Sequence, residues 1–134
     1  MYKIERKTSG YLLIFRGDLD LETTKEWYAE CRKILVEDER DSFGVIVDWR
    51  DFGIIKPKAQ PLMKEAQEYW RDHGMERSAV IIDDPIKKLN LSRVARQSGH
   101  YEWERFIDCT HDENWFETAK KWVVEGIDPD KDKN

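Results

Sequence analysis

Two apolar runs constrain this chain more than anything else in it. Residues 44–49 read "GVIVDW" and residues 78–83 read "SAVIID". Neither alternates apolar with polar, as a strand with one wet face would. A continuous Val/Ile run of this length suits a strand covered on both faces, the condition of parallel strands flanked by helices. A helical pattern follows each run. From about Ala59 to His73, Leu62, Ala66, Tyr69 and Trp70 recur at helical spacing, with Pro61 tolerable in the first turn and Gly74 as the stop. Asp84 and Pro85 then supply an N-cap and a first-turn proline. The helix they open is expected to carry Ile86, Leu89 and Val94 inward and to end at Gly99.

The remaining segments fit around these two units. "YKIERK" and "YLLIFRG" flank Thr8, Ser9 and Gly10, which predicts a hairpin. After Asp20, a plausible N-cap, Leu21, Tyr28, Cys31 and Leu35 share one helical face, with Trp27 and Ile34 beside them. "YEWERFID", residues 101–108, alternates like a half-exposed strand, and its Trp103 is the one tryptophan expected to be free for a ligand or partner. "DENWFETAKKWVVEG" closes the chain as a helix with Trp115, Ala119, Trp122 and Val123 inward. The expected order is β-β-α-β-α-β-α-β-α. That is a single α/β domain over residues 1–126: an N-terminal β-hairpin, then alternating elements, with a mostly parallel mixed sheet flanked by four helices. Residues 127–134 form a charged tail expected to be mobile.

Composition narrows the function classes. A net charge of −5 argues against non-specific nucleic-acid binding, which needs a basic surface. Cys31 and Cys109 form no C-x-x-C pair, and two cysteines in 134 residues fit a reduced, cytoplasmic protein. Cys31 reads as core packing. The charged, alternating start does not read as a signal peptide, and no apolar run approaches the ~20 residues of an integral membrane segment. Catalytic motifs are absent from the pattern. There is no G-x-S-x-G elbow, and His73, His100 and His111 fall near element ends. Asp108, Cys109, His111 and Asp112 match no compact zinc spacing and read as helix-capping and strand-end groups. Asp83 and Asp84 read likewise, and Asp48 and Asp51 as strand-end and loop-shaping acids. No catalytic residue, metal or cofactor is expected.

Three stretches resemble a known family. "GDLDLETTKEW" is similar to the G-x-L-D-x-x-T lead-in to the first helix of STAS domains, the bacterial anti-sigma-factor antagonist fold. "VIVDWRDF" resembles the strand that leads into their regulatory loop, and "DPIKKLNLSRVARQSG" their third helix. The chain looks most like the divergent SpoIIAA-like branch, which shares an overall shape with the lipid-binding lobe of Sec14-type proteins. The resemblance implies a non-catalytic regulatory or protein-interaction module. In anti-sigma-factor antagonists a kinase phosphorylates a serine of that loop. Here the motif would fall on Lys56, Pro57, Lys58 and Ala59, none of which carries a hydroxyl. The standard phosphoserine switch is therefore not expected.

Residues 54–58 remain the candidate contact site, for a protein partner or an anionic ligand. Ile54 and Ile55 have little room to be buried together. Lys56 and Lys58 flank Pro57 where a helix begins, against the positive end of its dipole. A secondary basic face on the third helix comprises Lys87, Lys88, Arg93 and Arg96. A homodimer is compatible with this reading. The alternative is a carrier for a small apolar or lipid-like molecule, and an apolar cavity of at least ~300 Å³ would favour it.

Overall fold

The computed structural model describes residues 1–131. Strands β1 (Tyr2–Lys7) and β2 (Gly10–Phe15) form the expected antiparallel hairpin. A short strand β3 (Gly17–Leu19) leads to helix α1 (Leu21–Glu37), which Asp20 caps by accepting from the Thr23 backbone N–H at 2.8 Å. Strand β4 (Phe43–Asp48), strand β5 (Phe52–Ile55), a 3-10 turn (Pro57–Ala59) and helix α2 (Gln60–Asp72) follow. Strand β6 (Met75–Ile82), helix α3 (Pro85–Ser98), a 3-10 turn (His100–Glu102), strand β7 (Glu104–Asp108) and helix α4 (Trp115–Glu125) complete the fold. The main sheet runs β1-β2-β4-β6-β7, antiparallel at the hairpin and parallel thereafter.

Both apolar runs sit inside this sheet, covered on two sides. Val45 and Val47 of β4 point to the face covered by α1, α2 and α3, whereas Ile46 points to α4. In β6, Val80 and Ile82 meet Ala95 of α3, whereas Ala79 and Ile81 pack on Ala119, Trp122 and Val123 of α4. Gly44 is where α4 comes closest: a Cβ there would stand 2.6 Å from Cβ of Val123. Asp84 caps α3 by accepting from Ile86 N–H at 2.8 Å, and Gly99 ends it at φ 84°, the left-handed conformation glycine adopts freely.

The structure corrects the sequence pattern in three places. The stretch 101–108 is not one half-exposed strand. Its first two residues belong to a 3-10 turn, and all five residues of β7 are buried, because α3 and α4 cover opposite faces. Helix α3 is rotated from the expected face. Ile86 and Leu89 are each 69% exposed and Val94 54%, while Ser92 and Ala95 are buried and Leu91 half-buried. Short side chains let this helix lie close to the sheet, so its buried face is not its most apolar one. Finally, the stretch after β4 is not a plain loop: β5 pairs in parallel with β3 as a second, two-stranded sheet.

Of the charged segment 127–134, the described part lies against the fold. Asp128 accepts from Arg105 Nε at 2.8 Å, Asp130 accepts from the Tyr101 hydroxyl and pairs with Lys88 at 3.3 Å, and Pro129 is buried. Residues 132–134 of that tail lie outside the described residues.

Candidate functional site

The region after β4 is built around Asp48. This carboxyl is buried at the end of β4, where Arg16 Nη2 donates to Oδ2 at 2.9 Å and Arg50 Nη2 donates to the same oxygen at 2.8 Å. Burial works to raise its pKa, but the hydrogen bonds from Arg50 and Arg16 outweigh burial and hold it at about 2. Asp51 takes φ 60° at the turn and donates its N–H to Asp83 at 3.1 Å. Strand β5 is then fixed to β3: Ile54 N–H donates to Asp18 Oδ1 at 3.0 Å, and Lys56 N–H to the Leu19 carbonyl at 2.9 Å.

The strand's period of two separates the isoleucines. Ile54 is 58% exposed, whereas Ile55 is half-buried and packs against the main core. Lys56, Pro57 and Lys58 are exposed in the 3-10 turn ahead of α2, which has no side-chain cap. Asp20 lies near enough for the Lys56 charge to help lower its carboxyl, after the dominant hydrogen bond from Thr23. One of the two lysines at this helix start thus has an acid nearby. Of the secondary basic residues, Lys88 is committed to Asp130, and the Arg96 guanidinium lies 4.3 Å from the Tyr101 ring centre. Lys87 is half-buried and Arg93 exposed. These four do not form one free face.

A second feature was not visible in the sequence. A cleft of about 240 Å³ opens between α2 and α3 above the sheet. Its walls are mainly apolar, aliphatic and aromatic together: Trp27 of α1, Met63 and Trp70 of α2, Leu91 and Val94 of α3, Val80 and Phe106 of the sheet. Trp49 and Ile55 line it too, beyond the end of β4 and at the end of β5. Gln67, Ser78, Ser98, His100 and Glu104 form its polar part. Glu104, the first residue of β7, is 8% exposed. Its Oε2 accepts from Ser78 Oγ at 3.2 Å and from Gln67 Nε2 at 3.3 Å. Burial pushes this carboxyl up to about 7, against the opposing hydrogen bond from Ser78. The indole nitrogens of Trp27 and Trp49 are buried without a hydrogen-bond partner among the described residues, and both side chains line this cleft; that of Trp70 lies against the Cys31 thiol, and Ser92 Oγ and Asp108 Oδ2 are unpartnered away from the cleft. Buried indole N–H groups ordinarily find acceptors. Trp103, expected on an exposed strand, instead sits half-buried before β7 with Arg71 4.6 Å from its ring centre.

No family model and no curated protein matches the sequence. Solved structures do match. An uncharacterised DUF3478-family protein with a SpoIIAA-like fold from Shewanella loihica PV-4 superposes with a TM-score of 0.65 at 17% identity, over 92% of each chain. The chain has a SpoIIAA-like fold. The unphosphorylated anti-sigma factor antagonist SpoIIAA matches with a TM-score of 0.59 at 14% identity, over 95% of this chain and 100% of that one. The phosphorylated form of the Bacillus cell fate determinant SpoIIAA matches with a TM-score of 0.59 at 13% identity, over 87% and 97%. The STAS-like fold expected from three short motifs is therefore present across the domain. Among the described residues no helix is long and apolar enough to cross a membrane.

Proposed function

We propose that this protein is a non-catalytic binding domain that holds a small, mainly apolar molecule in the cleft between α2 and α3. One observation carries the reading: this mainly apolar cleft is lined by Glu104, a buried carboxyl whose two side-chain partners are both neutral, and by Trp27 and Trp49, whose buried indole nitrogens have no partner among the described residues. Packed interiors rarely leave such groups, and each costs about 1–3 kcal/mol. At about 240 Å³ the space falls short of the ~300 Å³ expected of a carrier, so the reading rests on the lining and not on the volume, and a long-chain lipid does not suit it. The test is calorimetric titration with 4-phenyl-1-butanol. Binding is expected, and Val94→Trp at the cleft's exposed rim should weaken it without lowering the melting temperature. No binding to either protein would overturn the reading.

A second reading, a protein-interaction surface at residues 54–58, is favoured by the exposure of Ile54 beside Lys56 and Lys58. It draws on the fold shared with an anti-sigma factor antagonist. A phosphoserine switch has no acceptor here, since residues 51–61 contain no Ser, Thr or Tyr. The double change Ile54→Ser with Lys58→Glu should abolish capture of a partner at unchanged melting temperature, and unchanged capture would sink this alternative.

A further inference from the structure

We propose that the cleft selects a small lipophilic amine, whose protonated nitrogen pairs with the Glu104 carboxylate while its apolar body lies against the tryptophans. This deepens the ligand-binding reading above and rests on it. Glu104 is buried, yet no Lys or Arg pairs with it among the described residues. Its two side-chain partners, Ser78 and Gln67, are neutral, and both bind Oε2. Oε1 has no partner among the described residues and belongs to a side chain that lines the cleft. An ionised carboxyl accepts hydrogen bonds and donates none, so it selects a donor. A buried carboxylate without a countercharge is costly, and a cation beside it removes that cost. The aromatic lining acts in the same direction, because ring faces attract cations.

The neighbouring charges do not supply the missing countercharge. Arg105, adjacent in β7, is turned the other way, onto the Tyr101 ring and the Asp128 carboxylate. Arg71 of α2 lies over Trp103 and donates to the carbonyls of Met75 and Glu76. The α3 side contributes the neutral Ser98, and the turn before β7 contributes His100, the one other titratable residue in the lining. Burial holds the Glu104 carboxyl near 7, so it ionises within the physiological range, and a bound cation favours the ionised form.

Three probes with the same body separate the possibilities: 4-phenylbutylamine, 4-phenyl-1-butanol and 4-phenylbutyrate, titrated calorimetrically into the full chain. The amine should bind at least about tenfold more tightly than the alcohol at about pH 8, and the carboxylate most weakly. The amine's advantage should shrink as pH falls through about 7 toward ~5.5, with proton release detected as a buffer-dependent enthalpy. Glu104→Gln should remove the amine's advantage over the alcohol. An amine advantage that survives in Glu104→Gln would overturn the proposal. If the alcohol binds but the amine gains nothing over it, the amine proposal falls and the apolar-ligand reading stands. If none of the three binds, both fall. Should Glu104→Gln fail to fold, the wild-type pH profile decides alone: an amine preference that is flat between about pH 5.5 and 8 overturns the proposal.

Discussion

Glu104→Gln gives a stability test that needs no ligand. In the unfolded chain a glutamate titrates near 4.5, whereas burial in the cleft wall holds Glu104 at about 7. The folded state therefore binds this proton more tightly than the unfolded state. The stabilisation it gives is fully present below about pH 4.5, and is lost as pH rises toward 7. At about 1.4 kcal/mol for each tenfold difference in proton affinity, the interval from 4.5 to about 7 corresponds to about 3 kcal/mol. Gln keeps the shape and cannot ionise. Urea unfolding followed by circular dichroism at about pH 5 and about pH 8 should show wild type losing about 2–3 kcal/mol more than the variant across that range. Asp48, held at about 2, and Asp38, held well below the usual carboxylate range by its hydrogen bond from Arg40, act at more acid pH. Equal losses in the two proteins would refute the burial argument, and with it the support that Glu104's titration lends to amine binding.

Further outcomes follow from the backbone and the core. Gly99→Val should destabilise by more than about 1 kcal/mol in urea, and Gly99→Ala by less; nothing stands within 4 Å of a Cβ there, so the cost is the left-handed φ of 84° itself. Gly44→Ala should cost about 1–3 kcal/mol, because its Cβ would overlap Val123 of α4. Ile54→Ser should stay within about ±0.5 kcal/mol, whereas Ile55→Ser should cost about 1–3 kcal/mol; equal melting temperatures would contradict the opposite facings of these residues. Phosphosite mapping after incubation with lysate and ATP should find no phosphate within residues 51–61, and one found there would contradict the absence of an acceptor.

What was legible in the sequence was carried by local pattern. The runs around Val45–Val47 and Ala79–Ile82 required cover on both faces and received it. Asp20, Asp84 and Gly99 sit at helix ends because their side-chain or backbone chemistry belongs there. The missed features depend on contacts distant in sequence. Strands β3 and β5 are too short to show a period, and pair across more than thirty residues. Helix α3 buries Ser92 and Ala95, so its apolar residues pointed to the wrong face. Glu104 and Arg105 made residues 101–108 look half wet. Each is buried because a partner elsewhere receives its polar head: Ser78 and Gln67 for Glu104, Asp128 for Arg105. A charged residue heading a strand was the one available signal for the cleft, and the alternating pattern explained it away.

The two candidate sites differ in whether the fold resolves its own conflicts. At residues 54–58 the apparent conflict was two isoleucines and two lysines at a helix start. The strand turns one isoleucine outward and the other inward, and both lysines are exposed to solvent. A surface with little left to satisfy does not require an occupant. At the cleft the conflicts remain. A buried carboxyl lacks a countercharge, and the indole N–H groups of Trp27 and Trp49 lack acceptors among the described residues. Ionising Glu104 in the folded chain costs about 3 kcal/mol by about pH 8, a sizeable part of the roughly 5–15 kcal/mol by which domains are ordinarily stable. Unresolved local costs of that size concentrate at functional sites, where a ligand supplies what the fold omits. The cleft is therefore where a first ligand search belongs, with the amine series before any apolar library.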